Sequence, residues 1–245
     1  MNDKVWGFWT TVVWGGVIGL LLALGQVLPI FFYGLVTEPS TMSIAHLRGL
    51  MGRVETNALL LAITAIGSTL FVAPLVIFIA KLKRGASLKD YFDFNRVNFK
   101  TVKLWLFIAV LLLLVQDFIL PIWIDKEMPD FMMNIKYPSD LSKWLLVLGV
   151  AFFAPILEEL IFRGFLLKSL AHSFLGVYGA IVVTSLVWAI IHFQYEWIYL
   201  VLIFLIGLVL GFARFYTNSI YIPMMMHVLF NFSAAIELYV NKGIL

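Results

Sequence analysis

Apolar residues dominate seven long blocks of the chain, 5–36, 59–80, 104–124, 144–170, 176–193, 197–216 and 220–240, with charged residues largely confined to the stretches between them. A helix crossing a hydrocarbon core of about 30 Å needs roughly 20 residues at about 1.5 Å each. The pattern therefore predicts an all-α fold, a polytopic transmembrane helix bundle of about seven to eight membrane helices. Residues 38–58 and 85–99 are the places for an added interfacial helix. The first block far exceeds the 7–15-residue apolar core of a signal peptide and lacks a clear small-residue cleavage site, so it reads as a retained helix.

Small residues refine this picture. Gly15 and Gly19, and again Gly207 and Gly211, are small-xxx-small pairs, a spacing at which another helix can be expected to approach closely. Pro155 falls inside the fourth block, where it is expected to kink or locally open the helix.

Composition and charge then fix the class and the topology. With 62% hydrophobic and 13% charged residues, the chain is an integral membrane protein. Residues 81–103 carry Lys81, Lys83, Arg84, Lys89, Arg96, Lys100 and Lys103 against Asp90 and Asp93 alone. By the positive-inside rule this loop is cytoplasmic, and the N-terminus with it. The mixed charges of 125–143 suit the outer side. A net charge of +3, so distributed, reflects topology and gives no reason to expect nucleic acid as a partner. Membrane lipid is the expected one, with the lysines around Tyr91-Phe92-Asp93-Phe94 near anionic headgroups. Cysteine is absent, so there are no disulfides or thiolate ligands.

Chemistry enters with Glu158-Glu159-Leu-Ile-Phe-Arg163 inside the fourth block. A charged side chain at the centre of a membrane helix costs roughly 2.5–3.5 kcal/mol, and such groups mark functional sites by default. Glu159 and Arg163 are i and i+4 with the acid first, the favourable order for an ion pair on one helix face. Glu158 is turned about 100° away. Arg163 is thus read as holding Glu159 while Glu158 faces a reacting centre; the competing reading is an ion pair that only helps the helix pack. Trp188 and His192 share one helix face, as do His227 and Asn231. Asp117, near the middle of the third block, either lines the same cavity or pairs with another helix, and His172 is expected in an interfacial loop. Two carboxylates, an Arg, two His and an Asn match the inventory of a hydrolytic site: Glu158 as base, His192 holding water or a metal, His227 and Asn231 donating to an oxyanion.

The three motifs Glu158-Glu159-x-x-x-Arg163, Trp188-x-x-x-His192 and His227-x-x-x-Asn231, in this order on successive apolar segments, resemble the CAAX protease and bacteriocin-processing (Abi) family of intramembrane proteases. The resemblance covers roughly 142–240, a catalytic core following N-terminal helices and loops within 1–141, all in one membrane domain. It implies an intramembrane (metallo)endopeptidase acting on membrane-associated peptides or proteins, with Glu158 as catalytic base, His192, His227 and Asn231 completing the site, and Glu159 and Arg163 supporting it. The family's second motif usually has Phe where Trp188 stands here.

Two matters stay open at the level of sequence. Glu158, His192 and His227 are a possible zinc set with an open position for water, and a metal-free glutamate mechanism is equally compatible. Non-catalytic readings are an immunity or peptide-binding membrane protein, and a proton-coupled transporter using Asp117, Glu158 and His227. With alternating topology His192 falls near the outer end of its helix and His227 nearer the inner end of its own. They meet only if helices tilt or a short turn spans 194–198.

Overall fold

A computed structural model describes residues 4–85, 87–119 and 128–244. Six helices are long and apolar enough to cross a membrane: α1 (Phe8–Thr37), α3 (Ala58–Lys81), α5 (Phe99–Phe118), α7 (Asp140–Leu170), α9 (Trp197–Thr217) and α10 (Tyr221–Asn241). A shorter apolar helix, α8 (Gly176–Ile190), lies between α7 and α9. Short helices α2 (Ile44–Met51), α4 (Leu88–Phe92) and α6 (Asp130–Met133) occupy the connections. The chain is all-α and polytopic. Among the described residues there is no strand, only the isolated bridge between Asn57 and Lys136.

The helix starts have local causes. Ser43 and Ser87 accept the backbone N–H of His46 and Asp90, capping α2 and α4 within the two connections where an extra helix was expected. Asn98 accepts the Thr101 N–H and starts α5 earlier than hydropathy alone placed it; residues 120–124 of that expected span lie outside the described residues. Ser139 and Ser142 form a reciprocal capping box before α7.

One expectation is revised. The fifth block does not give a full-length span: α8 has 15 residues, about 22 Å of helix. Just past its end the His192 side chain bonds the Trp188 carbonyl at 2.7 Å, satisfying one of the acceptors a helix C-terminus leaves open. Around Pro155, α7 widens into π geometry at Leu148–Phe153 and again at Leu160–Leu166. A ring without an N–H interrupts the i→i−4 ladder, and widened turns are frequent at functional sites.

The chain divides into two units. The first comprises Met1–Ile18, Pro74–Asp125 and Glu158–His227. In it Leu167 and Leu170 of α7 pack against Ala180 and Ile181 of α8. Gly207 and Gly211 of α9 face α8: a Cβ on Gly207 would stand 2.9 Å from Ser185 Cβ, and one on Gly211 2.8 Å from Ile181 Cγ2. The two helices touch where α9 has no side chains. The basic loop docks through Tyr91 and Phe92, both buried. The Tyr91 ring stacks on Phe165 with centroids 5.7 Å apart, and its hydroxyl shares a 2.6 Å hydrogen bond with Ser169. Burial pushes the Tyr91 phenol up to about 12, against the opposing pull of that hydrogen bond. Asp93 ends α4 in the left-handed conformation, φ 50°, which Asp tolerates better than most residues. Its carboxylate accepts Lys168 at 2.6 Å and Arg214 at 2.5 Å.

The second unit comprises Gly19–Ala73, Lys126–Leu157 and Val228–Leu245. One of its cores joins Ile30, Leu50, Val54 and Leu60, and another joins Ala58, Ile135, Leu146, Leu238 and Tyr239. Tyr239 donates to the Lys143 carbonyl, and Lys242 donates to the carbonyls of Met133 and Ile135.

Candidate active site

The fourth membrane helix delivers the carboxylates in different states of exposure. Glu159 and Arg163 are fully buried, whereas the Glu158 side chain is 21% exposed. Arg163 Nη1 donates to Glu159 Oε1 at 3.0 Å, its Nη2 donates to the Gly207 carbonyl at 3.1 Å, and its guanidinium lies 4.6 Å from the centroid of the Trp188 ring. Arg163 therefore has a carboxylate, a carbonyl and an aromatic face as partners. A buried ion pair repays its desolvation only with such additional contacts.

His227 completes the buried group. Its Nδ1 lies 2.9 Å from Glu159 Oε1, so Glu159 Oε1 serves both the guanidinium and the imidazole. A carboxylate only accepts, which places a proton on Nδ1 and turns Nε2 toward Glu158, 3.8 Å from Oε2. The same reasoning applies to His192. A backbone carbonyl accepts the hydrogen bond from its Nδ1–H, which leaves Nε2 as the ring nitrogen open to another partner.

Trp188 joins these parts. Its indole Nε1 donates to Glu158 Oε2 at 2.6 Å, and its ring meets His192 and His227 edge-on at centroid distances of 5.3 and 5.1 Å. The two histidines meet at Trp188. His192 follows the last turn of a 15-residue helix, and both imidazoles contact one ring.

Glu158, Glu159, Arg163, His192 and His227 are thus brought together within the first unit. Asn231, one turn after His227 on α10, belongs to the second, where its amide donates to the Val150 carbonyl at 2.9 Å. Asp117 receives the amide of Gln116 at 3.3 Å. His172 follows the end of α7, with Nδ1 2.7 Å from the Lys168 carbonyl.

Sequence reasoning passed over Tyr195. Its ring lies 6.2 Å from that of His192 and 6.0 Å from that of Tyr199. Burial, with the nearby Glu158 carboxylate adding to it, pushes its phenol up to about 12, so the group stays a hydrogen-bond donor. The only sequence cue was an aromatic residue three positions after His192. The small-xxx-small spacing of Gly207 and Gly211 signals close packing but not the Gly207 carbonyl as an acceptor for Arg163. Among the described residues no three His, Asp or Glu side chains are grouped as a metal ion would need.

Residues 140–233, less than half of the chain, match the family described as type II CAAX prenyl endopeptidase Rce1-like. The matched segment carries all three motifs and agrees with the CAAX-protease resemblance read from them. It supports an intramembrane protease of the CAAX type in a multi-pass membrane protein. No curated protein and no solved structure matches the chain.

Proposed function

We propose that this chain is a cell-membrane endopeptidase, its N-terminus cytoplasmic, that hydrolyses membrane-associated peptides or proteins with Glu158 as the base. The observation that carries this reading is the contrast between two adjacent carboxylates. Glu159 is fully buried and bound to Arg163 and His227, while Glu158 is 21% exposed and, among the described residues, is met at Oε2 by Trp188 and His227. One acid is committed to structure, and the other can reach water and substrate.

Glu158 takes a proton from water as the oxygen bonds to the scissile carbonyl carbon, whose π electrons move onto the carbonyl oxygen. As that oxyanion collapses, the C–N bond breaks and the Glu158 proton passes to the leaving nitrogen. His192 Nε2 accepts from the attacking water. His227, tethered through Nδ1 to Glu159, donates from Nε2 to the oxyanion when both ring nitrogens carry protons. Glu159 and Arg163 hold His227 in place. No step of this scheme is routed through zinc.

The test compares peptide termini in membranes of cells expressing wild type or Glu158→Gln at equal levels. Termini present only with wild type are expected, with the purified protein cutting the corresponding synthetic peptides after exhaustive chelation. Identical termini would reject proteolysis and leave peptide binding as the activity, and loss on chelation with recovery on zinc would reject the metal-free route.

A further inference from the structure

Trp188 contacts Glu158, Arg163, His192 and His227. We infer that its indole N–H positions the Glu158 carboxylate for proton abstraction, making Trp188 a positioning residue for the hydrolysis. The inference rests on Glu158 being the base. A Glu carboxylate is poorly fixed by itself, because its terminal torsion is broad. A 2.6 Å charge-assisted hydrogen bond to Oε2 removes that freedom and leaves Oε1 for the water.

The donor is itself immobilised. Trp188 is 3% exposed, Arg163 lies against its ring, the two imidazoles pack on it, and Gly207 leaves room for its Cε3 edge. Phe would preserve most of the ring contacts and supply no donor. A buried indole N–H also needs an acceptor simply to be satisfied. The experiment must therefore separate the hydrogen bond from the bulk of the ring.

Site-specific incorporation at 188 does so. Benzothienylalanine keeps the bicyclic shape and removes the N–H, whereas 5-fluorotryptophan keeps both. With a synthetic peptide spanning a bond that wild type cuts and Glu158→Gln spares, the benzothienyl protein is expected to lose about 10- to 100-fold in kcat, the range for removing a hydrogen bond to a charged group. KM should hold, and the fluorotryptophan protein should stay near wild type.

Trp188→Phe, with thermal unfolding measured alongside, is the second variant. Wild-type kcat in a folded protein without the N–H overturns the inference, as does a loss confined to KM. Failure of both variants to fold also overturns it, since the ring would then be serving structure. If instead Glu158→Gln cuts as well as wild type, the base assignment itself fails, a different outcome.

Discussion

Replacing Gly207 by Ala tests whether the approach of α9 to α8 holds the candidate site in register. The added Cβ would stand 2.9 Å from Ser185 Cβ, 3.1 Å from Trp188 Cε3 and 3.2 Å from Ser185 Oγ. Ordinary carbon contacts begin near 3.4 Å, so the helices must part by about half an ångström or Trp188 must turn. Overpacking of this kind costs about 1–3 kcal/mol, equivalent to a fall in melting temperature of roughly 2–10 °C for a chain of this size. The displacement falls on the residue bonded to Glu158 and on the carbonyl bonded to Arg163. Misplacement by 1 Å can cost about 100-fold in rate, so half of that should lower kcat about ten-fold. The assay is thermal unfolding in detergent together with turnover of the peptide substrate. Gly19→Ala is the control, since nothing lies within 4 Å of a Cβ there. Gly207→Ala matching Gly19→Ala in melting temperature and turnover would refute the packing argument.

Glu159→Gln should destabilise the protein by about 3–5 kcal/mol, because Arg163, fully buried, loses its counter-charge. The double variant with Arg163→Met should recover much of that loss in thermal unfolding, and an unchanged melting temperature for the single variant would contradict the buried pair. Tyr91→Phe addresses alkaline stability. The phenol titrates near 12 when folded and near 10 when unfolded, so the native state holds more protons between those values. That stability is present in full below pH 10 and is lost as pH rises through 12, a fall of about 2–3 kcal/mol for a side chain 1% exposed. Thermal unfolding of Tyr91→Phe against wild type over pH 9–12 should show a flatter decline for the variant, and parallel declines would refute the assignment.

Much of this protein is written locally in the sequence. Lengths of apolar runs placed α1, α3, α7, α9 and α10 within a few residues, because hydropathy and helical rise are properties of the segment itself. The i,i+4 spacing of Glu159 and Arg163 foretold their ion pair for the same reason.

The tertiary structure decided which residues meet. The indole of Trp188 reaches Glu158 across 30 positions, Arg163 reaches the Gly207 carbonyl across 44, His227 reaches Glu159 across 68, and Arg214 reaches Asp93 across 121. Periodicity describes the faces of one helix and carries no information about the neighbour packed against it. The end of α8 is an intermediate case, since the capping bond of His192 spans only four residues. Its neighbours are as apolar as the rest of the block, so hydropathy ran past it. Glu158 and Glu159, adjacent and chemically identical in the sequence, became different groups only when packing buried one against Arg163 and His227 and left the other partly open.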